Sequence, residues 1–156
     1  MRSAVNIVEE MKRHKIAFGK AAFKCNDLLV NGDLTEMERL AELLIKENLN
    51  ITWGGMARAR ADMSDGLLHK LKKAGCAYLT FGIESGSNKI LKFMGKPVTN
   101  EVKIALKKTH KAGIKVNTLW MVGHPRESFF DILKTILFLL RNRKSIDEFV
   151  SVSPCY

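Results

Sequence analysis

The sequence predicts an α/β fold, a partial parallel (β/α) TIM-type barrel with about five strand–helix units. Short apolar runs alternate along the 156 residues with longer stretches whose apolar residues recur at helical spacing. In addition, Lys72–Cys76 and His110–Ile114 resemble each other 38 residues apart, which is the length of one strand–helix unit. With 46% hydrophobic residues, the chain has enough apolar side chains for one core, so we expect 1–156 to form a single partial barrel domain.

The first third of the chain predicts two helix–strand pairs. Ser3–Lys15 is helical in its apolar spacing, and Ala21–Leu29 is a short apolar run bounded by turn residues. Thr35–Glu38 has the pattern of a capping box, so we expect it to begin a helix that ends near Asn48. A strand is then predicted at Ile51–Gly55.

The remaining elements follow the same alternation. Ser64 is the expected N-cap of a helix that Gly75 ends in a left-handed conformation, and Ala77–Ile83 is the next strand. Thr99 opens a further helix that Gly113 closes. The last predicted elements are a strand at Ile114–Val122, a helix at Ser128–Arg141 and a strand at Glu148–Val152.

Five strands would leave two edges of the barrel sheet unpaired, and a dimer formed through those edges is one expectation. The chain has 26 Lys and Arg against 16 Asp and Glu, a formal net charge of +10. The basic residues are spread along the helical segments, so a solvated surface and an RNA partner are both open interpretations.

Three cysteines, Cys25, Cys76 and Cys155, lie far apart and form no metal-binding pattern, so we predict no metal ligands in this chain. Scattered cysteines without a signal peptide favour a reducing cytoplasm. No apolar run reaches the roughly 18 residues of a spanning helix. We therefore expect a cytoplasmic protein with no membrane segment.

The carboxyl ends of the predicted strands are polar, and ligands of parallel barrels bind at those ends. Asp27, Arg60, Glu84 and the Gly123–Glu127 turn each follow a strand. Glu84 can accept from a ribose hydroxyl or an amino group, and Gly86 would allow a ligand to approach the backbone closely. Gly123 and Pro125 would fix a turn able to pair with an adenine edge.

Each of these residues also has an ordinary structural explanation. Glu84 could stabilise the N-terminus of a short helix near Asn88 or pair with an arginine. Asp27 could be a turn residue, and His124 beside a proline is typical of a loop. The joint pattern therefore carries more weight than any one residue.

Two runs stand out in that pattern: Phe81–Ser87 reads Phe-Gly-Ile-Glu-Ser-Gly-Ser, and Met121–Glu127 reads Met-Val-Gly-His-Pro-Arg-Glu. Together with Arg60–Asp62, Lys96 and Thr135, they resemble the core of radical S-adenosylmethionine enzymes over nearly the whole chain. The group most similar often carries an N-terminal cobalamin-binding domain and includes the magnesium-protoporphyrin IX monomethyl ester oxidative cyclases.

The resemblance implies an oxidoreductase or transferase that reductively cleaves S-adenosylmethionine at a [4Fe–4S] cluster and starts radical chemistry on an organic substrate. It implies an electron donor such as flavodoxin or ferredoxin, and a possible cobalamin site in another domain. By the same resemblance, Glu84, Ser85 and Gly86 would lie by the ribose and methionyl end of the cofactor. Gly123, Pro125 and Glu127 would lie near the adenine, and Asp27 with Arg60 would face the cavity.

The chain departs from this family in lacking the CxxxCxxC loop whose three thiolates hold the cluster. We expect a fragment truncated at both ends and inactive alone, or a relative that has lost its chemistry; the first is favoured. A non-catalytic basic module that binds RNA or a protein remains an alternative. A different barrel enzyme acting on phosphate-bearing substrates is a further one, although no glycine-rich phosphate loop with its lysine is present.

Overall fold

The computed structural model describes residues 3–26 and 29–155. Among them, six α-helices alternate with five strands, and a short 3₁₀ turn follows the last helix. The helices are α1 (Ala4–Phe18), α2 (Leu34–Glu47), α3 (Asp65–Lys73), α4 (Asn88–Phe93), α5 (Thr99–Lys111) and α6 (Phe129–Asn142). The strands are β1 (Ala22–Cys25), β2 (Thr52–Ala57), β3 (Cys76–Glu84), β4 (Lys115–Val122) and β5 (Glu148–Pro154).

The five strands form one sheet in the order β1-β2-β3-β4-β5, and every neighbouring pair is parallel. A parallel sheet with a helix between successive strands curls into part of a barrel, so the predicted fold class is confirmed. β1 and β5 are the edges of the described sheet. Dimerisation through them stays a prediction.

The core lies between the sheet and the helices. Alternate residues of the strands, such as Trp53, Phe81 and Trp120, are buried against apolar helix faces. The residues at helical spacing on the inward faces of three helices are buried or half-buried: Met37, Leu40, Leu44 and Ile45 of α2; Leu67, Leu68 and Leu71 of α3; Val102, Ala105, Leu106 and Thr109 of α5. Gly75 has a φ of 87°, which confirms that a left-handed residue follows α3; Gly113, which was predicted to close α5, is also left-handed, with a φ of 77°.

Two local predictions in the first third were wrong. The strand at Ala21–Leu29 is shorter in the structure, because pairing with β2 ends at Cys25 opposite Gly55 and Leu29 lies outside the sheet. The capping box at Thr35–Glu38 does not form. Asp33 caps α2 instead, since its Oδ1 accepts from the backbone N–H groups of Thr35 (2.8 Å) and Glu36 (3.2 Å).

This difference gives a prediction for stability. Asp33→Ala should lower the free energy of unfolding by about 1 kcal/mol, because two backbone N–H groups lose their acceptor. Thr35→Ala should change it by less than about 0.5 kcal/mol, since Thr35 is exposed and does not cap the helix. Urea unfolding of the two variants distinguishes the caps, and a larger loss from Thr35→Ala would contradict the observed one.

The last helix, α6, turns a largely polar face toward the sheet and exposes many of its apolar residues. The inward residues of α6 include Asp131, Thr135 and Asn142, whereas Phe129 and Phe130 are exposed. Phe138 on the same face packs in the apolar core, so the polar inward residues have a different role. No helix in the described part of the chain is long and apolar enough to cross a membrane.

Candidate functional site

The carboxyl end of β3 carries a strained acidic residue. Glu84 has φ 72°, a conformation that side chains other than glycine rarely adopt, and the β3–β4 register shifts between Gly82 and Glu84. The carboxylate folds back over Gly82, where an added Cβ would lie 2.8 Å from Glu84 Oε1. It therefore lies on the sheet face opposite to buried Phe81 and Ile83.

Lys96 pairs with the Glu84 carboxylate. Its Nζ lies 3.0 Å from Glu84 Oε1 and 3.3 Å from the carbonyl oxygen of Gly82. The Glu84 side chain is 17% exposed and that of Lys96 is 33% exposed. The two therefore present a carboxylate and an ammonium together on the sheet face opposite to Phe81 and Ile83. Such a pair suits a ligand with both donor and anionic groups.

Ser85 and Gly86, the next two residues, turn toward α6. Ser85 Oγ lies 3.2 Å from Thr135 Oγ1 and accepts from the backbone N–H of Ser87 at 3.1 Å. The backbone N–H of Gly86 donates to Thr135 Oγ1 at 2.9 Å. Both residues are buried, so in this structure they fasten the strand end to the helix.

The loop after β4 is held by bonds within itself. The backbone N–H of Gly123, at φ 81°, donates to the Glu127 carboxylate at 2.7 Å, and that of Glu127 donates to the carbonyl of His124 at 2.7 Å. Pro125 is exposed. His124 stacks on Phe93, as expected of a loop histidine, with ring centroids 6.3 Å apart. Glu127 thus fixes the shape of the loop.

Asp131 joins the two loops, and our sequence analysis did not identify it. Its side chain is 2% exposed. Asp131 Oδ1 accepts from Ser87 Oγ at 2.7 Å, and Oδ2 accepts from Ser128 N (3.0 Å), Ser128 Oγ (2.6 Å) and Lys89 Nζ (3.0 Å). Lys89 also donates to the carbonyl of Arg126 at 2.7 Å. The strand ends of β3 and β4 are therefore cross-linked through one buried carboxylate.

The electrostatics of Asp131 follow from these contacts. Hydrogen bonds from Ser128 and Ser87, and then the Lys89 ammonium, hold the pKa of its carboxyl well below the usual range. The signal in the sequence was Ser128-x-x-Asp131, the capping-box pattern that α6 forms. That pattern predicts a cap but not the link to Ser87.

Arg60 belongs to a separate group. Its guanidinium pairs with Asp62 through two bonds of 2.7 and 2.6 Å and donates to the carbonyl of Asn31 at 3.1 Å. The pKa of Asp62 is lowered by that pairing. The group lines a surface cavity of about 570 Å³ together with Arg58 and Pro97. No described contact joins Arg60 to Glu84 or to the Gly123–Glu127 loop, and Asp27 lies outside the described residues.

Comparison with known proteins gives consistent results. Residues 2–139 match the family described as the Radical SAM superfamily. A protein of Methanocaldococcus jannaschii that carries a methylthiotransferase name is 31% identical over 167 residues, which cover 97% of this chain and 35% of the relative. The chain thus spans about a third of that relative's length.

Two solved structures have the same fold. The radical S-adenosylmethionine methyltransferase TsrM of Kitasatospora setae, with cobalamin and a [4Fe–4S] cluster bound, superposes with a TM-score of 0.81 at 12% identity, over 99% of this chain and 31% of TsrM. The cobalamin-dependent S-adenosylmethionine radical enzyme OxsB superposes with a TM-score of 0.77 at 20% identity, over 92% of this chain and 22% of OxsB. At these identities the likeness concerns the fold alone.

Proposed function

Because the chain belongs to the radical SAM superfamily, we propose that it forms the S-adenosylmethionine-binding part of an enzyme that cleaves this cofactor reductively to start radical chemistry on an organic substrate. The observation that carries the proposal is the strained Glu84 at the end of β3, with its carboxylate beside Lys96. Backbone strain of this kind costs of order 1–3 kcal/mol and is concentrated at ligand sites.

The residues fit the cofactor chemically. The Glu84 carboxylate can accept from a ribose hydroxyl or from the amino group of the methionyl end. The Lys96 ammonium can bind the methionyl carboxylate as a charge-assisted donor. The Gly123–Glu127 loop, whose Gly123 has open space where a Cβ would lie, supplies backbone groups for the adenine edge.

Ser85 and Gly86 enter the proposal as residues that fix the strand end, since their polar groups are bonded to Thr135. Arg60, which lines the surface cavity beside Asp62, enters it as a residue one strand end away from Glu84, and Asp27 keeps the cavity-facing role that the resemblance implies. S-adenosylmethionine would be the group that is reductively cleaved, with the electron coming from the cluster, and these residues would bind and orient it.

The described residues do not fit a [4Fe–4S] cluster, which needs three thiolates close together. Among residues 3–26 and 29–155, no group of His, Cys, Asp or Glu could hold a metal ion. Burial raises the pKa of Cys76 to about 12, so this thiol stays protonated and is a poor ligand. We propose that other parts of the whole protein hold the cluster.

The finer assignments rest on the resemblance and on the names of similar proteins. We retain the magnesium-protoporphyrin cyclase group as one proposal. Methyl or methylthio transfer is a second, favoured by the names of the M. jannaschii relative and TsrM. A cobalamin domain elsewhere in the protein and reduction by a flavodoxin or ferredoxin belong to the same proposal.

Binding of labelled S-adenosylmethionine to the reconstituted full-length protein, measured by equilibrium dialysis, tests the site. Glu84→Gln keeps the size of the side chain but removes its charge, and we expect affinity to fall about 10- to 100-fold, the value of a charge-assisted hydrogen bond. Glu148→Gln, an exposed acid of β5, is the control and should change affinity less than about twofold. Unchanged affinity in Glu84→Gln would contradict the proposed binding of S-adenosylmethionine at Glu84.

A further inference from the structure

A second concave surface lies between α5 and α6, on the helix side of the sheet. It encloses about 460 Å³. Four of its lining residues are cations, and none of those that the structure describes is an acid: Lys89, Lys103, Lys134 and Arg141 line it beside Asn88, Asn100, Asn142 and Leu137. We call this surface the basic groove.

The cations are arranged along the groove. Lys134 and Arg141 are seven residues apart on α6, which places them about two turns, or roughly 10.5 Å, apart along its axis. Lys103 faces them from α5. Lys103 and Arg141 form no ion pair with any described residue, and Lys134 Nζ lies 3.6 Å from the buried Asp131 carboxylate. Lys89, the fourth cation, is bonded to the same carboxylate and to the carbonyl of Arg126, so Lys103 and Arg141 carry the charge that is most available to a ligand.

The helix dipoles do not account for these positions. Cations are favourable in the last turn of a helix, where Arg141 lies, and unfavourable near its start. Lys103 and Lys134 lie in the first halves of α5 and α6. Interaction with the helix dipoles therefore explains the position of Arg141 but not those of Lys103 and Lys134.

A buried acceptor in the groove lacks a partner. Asn142 is 4% exposed, its Nδ2 donates to the carbonyl of Phe138 at 2.8 Å, and its Oδ1 accepts no hydrogen bond from the described residues. A buried polar atom without a partner costs about 1–3 kcal/mol. Because Oδ1 itself has almost no accessible surface, a ligand with a hydroxyl donor and negative charge would complement both Asn142 and the cations only if the Asn142 side chain turned toward the groove.

We propose that the basic groove binds the sugar–phosphate backbone of RNA. Lys103, Lys134 and Arg141 would contact phosphates, and a 2′-hydroxyl, the group that distinguishes RNA from DNA, would be the donor for Asn142 once its side chain turns toward the groove. Leu137, 47% exposed between Lys134 and Arg141, offers apolar contact to a ribose. Gly86 also lines the groove, but the groups proposed to contact S-adenosylmethionine, namely Glu84, Lys96 and the Gly123–Glu127 loop, do not.

Fluorescence anisotropy of the full-length protein with a fluorescein-labelled RNA oligonucleotide, at about 50 and 200 mM salt, tests the groove. The variant Lys103→Gln/Lys134→Gln/Arg141→Gln should weaken binding at least about tenfold at the lower salt concentration. Because each single-strand phosphate contact contributes about 0.7 to the slope of log K against log salt, the slope should become shallower by about 2.

The matched control removes the same charges elsewhere: Arg13→Gln/Lys46→Gln/Lys73→Gln changes exposed cations of α1, α2 and α3. It should leave affinity within about twofold, and equal circular dichroism melting curves would show that both variants fold. Equal weakening by the two variants, or none by either, would overturn the proposal. The proposal would also be overturned if DNA of the same sequence bound equally tightly. The same holds if the groove variant lost binding to acidic flavodoxin but kept its binding to RNA. S-adenosylmethionine binding should be unchanged in the groove variant, which separates this test from that of the cofactor site.

Discussion

Asp131→Ala is expected to lower the free energy of unfolding by about 2–3 kcal/mol, because the buried Ser87 hydroxyl is left without its acceptor and the hydrogen bonds from Ser128 are lost as well. The Asp131 carboxylate accepts from Ser87, Ser128 and Lys89, and its side chain is 2% exposed. Without it, the hydroxyl groups of Ser87 and Ser128 lose this acceptor, and Lys89 keeps only the carbonyl of Arg126. The ends of β3 and β4 would then no longer be joined through it.

Urea unfolding at neutral pH measures this effect. Asp65→Ala is the control, because Asp65 is an exposed acid in the first turn of α3 and should cost less than about 0.5–1 kcal/mol. A loss in Asp131→Ala no larger than in the control would show that the carboxylate does not hold the loops together.

The effect should depend on pH in one direction. The pKa of Asp131 is held below its ordinary value in the folded state, chiefly by hydrogen bonds from Ser128. A depressed folded pKa contributes stability that is fully present above the unfolded pKa of about 3.9 and is lost as pH falls toward the folded value. The difference in stability between the parent protein and Asp131→Asn should therefore shrink between about pH 5 and pH 2.

Gly86→Ala is expected to cost about 3 kcal/mol of folding stability. An added Cβ would lie 2.5 Å from Thr135 Cα and 2.8 Å from Phe138 Cβ, and 3.0 Å from the carbonyl of Lys134. These atoms belong to the body of α6, so relief requires the helix to move. Overpacking of this kind costs about 1–3 kcal/mol, and loss of the Gly86 bond to Thr135 adds about 1 kcal/mol.

Gly66→Ala provides the opposite control. Gly66 is exposed within α3, and the nearest atom to an added Cβ is Ser64 Oγ at 3.8 Å. Alanine there should raise stability by about 0.5–1 kcal/mol, because glycine is a poor helix former. Thermal unfolding should separate the two variants. If both alanines raised stability, the close approach of α6 to Gly86 would be wrong.

The fold was predictable because its signals are local and repeated. Apolar spacing in α3 and α5, the Ser64 cap and the left-handed Gly75 and Gly113 each mark a unit boundary, and four consecutive β–α–β units admit few other topologies. The cap of α2 was missed because two acceptors compete. Asp33, two residues before Thr35, reaches the first free N–H groups of the helix.

The candidate site was only partly predictable, since its contacts are long in sequence. Ser87 and Asp131 bond across 44 residues, and Ser85 and Thr135 across 50. No periodic pattern encodes such a pair. The apolar residues of α6 would favour burying Ile132 and Ile136, yet the polar face turns inward because Asp131 and Thr135 have partners on the loop after β3.

The position of Glu84 was predictable from the sequence, but its backbone conformation and its partner were not. Its place at a strand end was predicted, but its positive φ and its pairing with Lys96 depend on the bulge between β3 and β4. From the sequence, a helix N-terminus or an arginine was the alternative partner of the Glu84 carboxylate. In the structure that carboxylate pairs with a lysine 12 residues further on.

A crystal structure of the full-length protein with S-adenosylmethionine bound would show whether the cofactor lies at the ends of β3 and β4. We predict an amino group or ribose hydroxyl of the ligand within about 3 Å of the Glu84 carboxylate, and its adenine beside the Gly123–Glu127 loop. A ligand bound away from the ends of β3 and β4, with Glu84 still paired only to Lys96, would contradict it.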